Sequence, residues 1–229
     1  MTIAFSRRTI MKQFTGVAAG AALVSAGGAL LAPASAVAAD TTWRRSTSAN
    51  GWSIPNARSS STGTCDIQGT GLTVALRRGD AATVLAYLAQ RFHYDVARLE
   101  GDRGEIVGYR ADRKVRADFE SNHLSGTALA LYPENYPLGV TGNFFPYQVT
   151  AIRDILAELG GVVKWGGDMK PAMESMFFID VPPQSQQLGQ VAATLTAWQT
   201  TPSKGAGTQN VEDPKRVEAS KKLAKSQKA

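Results

Sequence analysis

The stretch "QVTAIRDILAELGG", residues 148–161, sets Val149, Ile152, Ile155, Leu156 and Leu159 along one helical face and ends on two glycines. A helix with so defined an apolar stripe must bury it against another layer, and the glycines mark where the chain leaves the helix. The partner layer is legible in shorter runs. "LTVALR" (72–77) alternates apolar and polar positions and reads as a strand. After a turn and N-cap at Gly79-Asp80, "AATVLAYLAQRF" spaces Val84, Leu85, Leu88 and Phe92 as a second helix. "GEIVGYR" (104–110), the stretch 126–131, "GVVKW" (161–165) and "SMFFIDV" (175–181) read as further strands. The last two flank a Gly-Gly-Asp turn at 166–168, and "QQLGQVAATLTAWQ" (186–199) reads as a closing helix. Strands and helices mix without βαβ regularity, so the expected class is α+β, a small antiparallel sheet packed with helices.

The two ends read differently. Ser6-Arg7-Arg8-Thr9-Ile10-Met11-Lys12 looks like the twin-arginine export consensus; a weakly apolar run from Phe14 to Pro33 and the small-residue sites Ala34-Ser35-Ala36 and Ala36-Val37-Ala38 follow it. Residues 1–39 are therefore expected to be a signal peptide that sends the protein to the cell envelope, with no stable membrane anchor after cleavage. An ordinary secretory signal and an uncleaved anchor are the alternatives. Half of the formal charge of +6 leaves with Arg7, Arg8 and Lys12. Residues 40–71, rich in Ser, Thr, Gly and Asn, read as a linker whose Trp43 and Trp52 dock on a domain spanning 72–200.

Residues 201–229 read as a basic, disordered tail, in which Lys215, Arg216, Lys221, Lys222, Lys225 and Lys228 face only Glu212, Asp213 and Glu218. Such a tail either clings to anionic wall polymers or lipid headgroups, or is a solvated and partly helical end. No nucleic-acid motif accompanies it. Cys65 is the single cysteine, so neither an intramolecular disulfide nor a cysteine-built zinc cluster is possible.

Three stretches stand together: "SNHLSGTALAL" (121–131), the loop and helix "PLG…F…Q…IRDIL", and "VVKWGGDMKPAMESMFFID" (162–180). Together, over roughly residues 72–183, they resemble the VanY-like (M15) zinc D,D- and L,D-peptidases, which include D-Ala-D-Ala carboxypeptidases and dipeptidases and phage endolysins. The resemblance implies a hedgehog/DD-peptidase-like fold. It also implies His123 as first zinc ligand and Glu174 as catalytic carboxylate. The second ligand position, seven residues after His123, holds Ala130, and the third, three residues after Glu174, holds Phe177. A catalytic zinc needs about three protein ligands and a water, and methyl and phenyl groups offer no lone pair. On this mapping, Ala130→Asp with Phe177→His should restore zinc binding.

The expected function is thus that of an exported envelope protein that has lost the zinc centre, carries no cofactor, and binds peptidoglycan stem peptides or a cell-wall protein. Substrate-binding candidates are Arg110, as a bidentate carboxylate partner, with Ser121, Trp165 and Asp168; Phe145 is a further cleft-lining candidate. Structural uses compete for each: ion pairing for Arg110, core packing for Trp165 and Phe145, turn stabilisation for Asp168. The alternatives are a working zinc D,D-carboxypeptidase or L-Ala-D-Glu endopeptidase with replacement ligands drawn from Glu134, Asp168 or Asp180, and a structural envelope protein. His93 reads as a structural residue. No G-x-S-x-G elbow accompanies Ser121 and Ser125.

Overall fold

The computed structural model describes residues 39–56, 59–101, 104–201 and 210–228, so the expected leader lies almost wholly outside them. In chain order the elements are β1 (Thr41–Thr42), β2 (Thr62–Ile67), β3 (Leu72–Arg77), α1 (Asp80–Asp95), β4 (Ile106–Val107), β5 (Lys114–Val115), a 3-10 turn (Asp118–His123), β6 (Ala128–Leu131), α2 (Pro146–Glu158), β7 (Val163–Trp165), a second 3-10 turn (Gly166–Asp168), β8 (Met176–Ile179), α3 (Gln186–Thr200) and α4 (Pro214–Lys228). The class is α+β, as the periodicities predict.

Four strands form an antiparallel sheet in the order β4-β6-β8-β7. Its middle strands, "ALAL" and "MFFI", are apolar throughout because helices or loops cover both faces. Side chains alternate across a strand, and residues directly paired point the same way. Leu129, Leu131, Phe177 and Ile179 therefore share one face, packed against Val84, Leu85, Leu88 and Phe92 of α1, Ile152, Ile155 and Leu156 of α2, and Leu188, Ala192 and Leu195 of α3. Ala128, Met176 and Phe178 lie on the other face with Phe119, Leu138 and Met173 in a smaller cluster. The strand expected over 104–110 shrinks to Ile106–Val107, because the next residues turn toward β3, where Tyr109 N donates to Ala75 O at 2.6 Å.

The folded unit begins well before residue 72. β2 pairs with β3 along its whole length, and Trp43 and Trp52 are buried, with Trp52 Nε1 donating to Val181 O at 2.9 Å. The polar composition of 40–71 reflects hydrogen bonding to the domain rather than a linker's solvation. The tail is likewise part of the fold over 214–228. There α4 lies on α2: Arg216 clasps Asp154 through Nε and Nη2 at 2.7 and 2.6 Å, Leu223 sits over Gly161, and Gln227 Nε2 reaches Val163 O at 2.9 Å. A high lysine count hid the few residues that make this helix stick. Among the described residues, no helix is long and apolar enough to cross a membrane.

Candidate functional site

The 3-10 turn that carries "SNH" starts with Glu120 Oε2 accepting from Arg116 N at 2.6 Å and Ala117 N at 3.1 Å. The turn that follows it, over 124–126, closes on Gly126, whose φ of +71° favours glycine. A Cβ there would stand 2.7 Å from Arg77 N, which donates to Gly126 O at 2.7 Å, so the motif's glycine lets β3 approach. The small polar side chains of "SNHLSGT" are met by the segment Ser48–Trp52. Ala49 N donates to Ser121 Oγ at 2.8 Å and Ser48 Oγ bonds Ser125 Oγ at 2.8 Å; Asn50 donates through Nδ2 to Thr127 Oγ1 and Ile179 O, both at 2.8 Å. Ser121, whose hydroxyl also donates to Asp118 O at 2.6 Å, is thereby committed to holding the N-terminal segment rather than a substrate. The sequence signal for this zipper is a second polar, small-residue run, "SANGW", whose composition alone suggests a linker.

His123 is buried, with Nδ1 2.7 Å from Gly108 O. Burial, reinforced by the nearby Arg110 guanidinium, pushes its pKa down to about 4 against the pull of the Gly108 carbonyl, so the ring is neutral at pH 7 and Nδ1 is the donor. An unfolded histidine takes a proton below pH 6.5 while the folded one does not. Its contribution is therefore intact above pH 6.5 and falls as pH drops toward 4, by about 2 kcal/mol at pH 5. Urea midpoints measured at pH 7 and pH 5 should show that loss, and His123→Asn should remove the pH-dependent part; an unchanged slope in the variant assigns it elsewhere.

Arg110 donates through its backbone N to His123 O and through Nη2 to Lys114 O, each at 3.3 Å. It is a neighbour of the histidine and spans a loop. His123 and Glu174 share neither a hydrogen bond nor an ion pair. Both oxygens of Glu174 are engaged: Oε1 accepts from Gly142 N at 2.7 Å, and Oε2 from Asn143 N at 3.0 Å and Asn143 Nδ2 at 2.9 Å. The candidate catalytic acid is an anchor for the loop before α2. That helix opens on Pro146 at its first position, with Gln148 Oε1 accepting from Phe145 N at 2.9 Å. Phe145 is exposed and stacks on Tyr147.

Trp165 belongs to the larger core, its Nε1 donating to Glu174 O at 2.7 Å and its ring lying under the Arg153 guanidinium at 4.7 Å. Asp168 is paired with Arg153, Nη2 to Oδ1 at 2.6 Å, and with Lys228 at 3.4 Å. Burial works against its charge, but the hydrogen bonds and charge of Arg153, with Lys228, outweigh it and hold the carboxyl below the ordinary range. Glu174, Trp165 and Asp168 are thus brought together as a structural cluster that makes no hydrogen bond or ion pair with His123.

The two positions that the resemblance assigns to the other zinc ligands are on opposite sides of the sheet. Ala130 pairs with Met176 and Phe177 with Leu129, so Phe177 points into the helix-covered core, between Phe92 and Trp165, while Ala130 faces the other way. Met176 and Phe178 are the β8 residues that share Ala130's face. A zinc ion does not fit these residues: the donors are missing, the positions diverge, and no group of three or more His, Cys, Asp and Glu side chains meets among the described residues. The expectation that restoring both ligands would restore zinc binding is corrected by the register, and the replacement ligand Asp168 is already held by Arg153.

On the Phe178 face a pocket of about 380 Å3 opens between the first 3-10 turn, β7 and β8, the segment around Asn50 and the loop after Asp168; Asn122, Lys164 and Asp180 are among its walls. Asn122 and Lys164 are not singled out by the sequence, because each lies beside a ligand or cleft position rather than on it, and Asp180 stands there only as a replacement zinc ligand. No family model, curated protein or solved structure matches the chain.

Proposed function

We propose that the chain is an exported protein of the bacterial cell envelope, a metal-free relative of the VanY-like peptidases with a hedgehog/DD-peptidase-like fold, that binds peptidoglycan stem peptides without cutting them. The divergence of Ala130 and Phe177 across the sheet carries this reading: the motif framework is present while the means of holding zinc is not. Two further features support it. Glu174 has both oxygens bonded to the loop at 142–143, which ties it to that loop, and a pocket with polar walls lies beside the motifs. Binding requires only that complementary groups line such a pocket.

The test is calorimetry of the mature chain with soluble muropeptides, with and without a chelator, followed by mass spectrometry of the mixture. Expected are saturable binding, indifference to chelator, and intact peptides. Chelator-sensitive release of amino acids, abolished in His123→Ala, would return the chain to the metallopeptidases. No binding to muropeptides or purified wall at low salt would make it a structural envelope protein.

A further inference from the structure

The pocket on the Phe178 face contains a buried donor without an acceptor. Asn122 is only 1% exposed; its Oδ1 accepts from Asn50 N at 3.1 Å, but its Nδ2 has no partner. Exchanging the two amide atoms gives no relief, because Nδ2 would then face the Asn50 N–H and Oδ1 would be left over. A buried donor in this state carries a desolvation cost that no partner offsets, and an oxygen brought by a ligand recovers it. The rest of the pocket narrows what that ligand is. Its floor is the pair Phe119 and Phe178, parallel to within 12° at 6.1 Å. Lys164 stands in its wall with Asp180 at 3.8 Å, and Asp118, exposed, holds no hydrogen-bond or ion-pair partner through its side chain. The wall therefore offers both signs of charge over an apolar base.

We infer that this pocket binds the carboxylate end of a small zwitterionic peptide, its carboxylate accepting from Asn122 Nδ2 and Lys164 Nζ and its ammonium group lying against Asp118. The assignment rests on the stem-peptide reading and gives that reading a place. Such peptides end in a free carboxylate and many carry an amine-bearing side chain, whereas neutral glycan offers neither charge. It also uses different residues from those the motifs suggest: His123, Glu174 and Arg110 have no part in it.

The probe is a free pentapeptide with a lysine at its third position and a D-alanyl-D-alanine end, titrated into the mature full-length chain beside its C-terminal amide. Amidation is expected to weaken binding about tenfold or more. Asn122→Asp keeps the acceptor for Asn50 N–H but replaces the donor by a negative charge, and is expected to weaken the acid form by at least as much. Lys164→Gln, at a half-buried wall position, is expected to weaken it about fivefold and serves if Asn122→Asp lowers the melting temperature. Wild-type binding that ignores amidation and both substitutions overturns the pocket assignment and leaves the stem-peptide reading standing. No wild-type binding to the peptide or to muropeptides overturns both.

Discussion

Asp154→Ala is expected to destabilise the chain by about 3–5 kcal/mol, measured as a shift in urea denaturation. Asp154 is buried in α2 and accepts from two guanidinium groups, Arg91 of α1 at 3.2 Å and Arg216 of α4 at 2.6 and 2.7 Å. Arg91 is itself buried and also bonds Asp95, at 2.6 Å, and Glu158. Removing the central carboxylate leaves Arg91 with Asp95 and Glu158, and Arg216 with the more distant Glu158, at 3.9 Å. The cost is that of charge left without its partner rather than that of one hydrogen bond. Arg216→Ala, at 26% side-chain exposure, should cost less, because Asp154 keeps Arg91 and water reaches the gap. A loss below about 1 kcal/mol in Asp154→Ala would mean that solvent screens the cluster and α4 is held by its apolar contacts instead.

Ala130→Asp with Phe177→His, the change that would rebuild a zinc site if the two positions faced each other, is expected to bind no zinc and to destabilise the fold by about 4 kcal/mol or more. Phe177 is buried with its ring edge-on to Phe92 at 6.2 Å and stacked on Trp165 at 6.5 Å, so imidazole there trades apolar contact for a polar ring in the core. Ala130 is 1% exposed between β4 and β8, and a carboxylate there has no donor waiting for it. Inductively coupled plasma measurement of bound metal and a thermal melt check both halves. One zinc per chain with a raised melting temperature would falsify the sheet register and the metal-free reading.

The architecture was legible where burial is one-sided and periodic. The stripes of α1 and α2 and the alternation in β3 predict their elements within a few residues, and so does the apolar run that becomes β8. What escaped was structure held by sparse polar contacts. Residues 48–52 carry no apolar periodicity, yet they bond Ser121, the Oδ1 of Asn122, Ser125 and Thr127; α4 depends on Arg216, Leu223 and Gln227 amid lysines that solvate. The candidate site was legible only as a set of positions. A sequence motif fixes the spacing of residues 123, 130, 174 and 177 but not the cross-strand pairing, and one residue of pairing decides which face a side chain takes. Hence Phe177, on the motif, is core, while Phe178 and Asn122, each one residue off it, line the pocket.

The long sequence separation between Asp154 and Arg216 gives synthesis a direction. When α1 and α2 have left the ribosome, Arg91 can gather its carboxylates, but the second clamp on Asp154 has yet to be made. A chain without residues 214–228 carries an uncovered α2 flank and a half-filled charge cluster. α4 therefore closes a cluster that α1 and α2 leave open, and the fold reaches its full polar pairing only once that helix has docked.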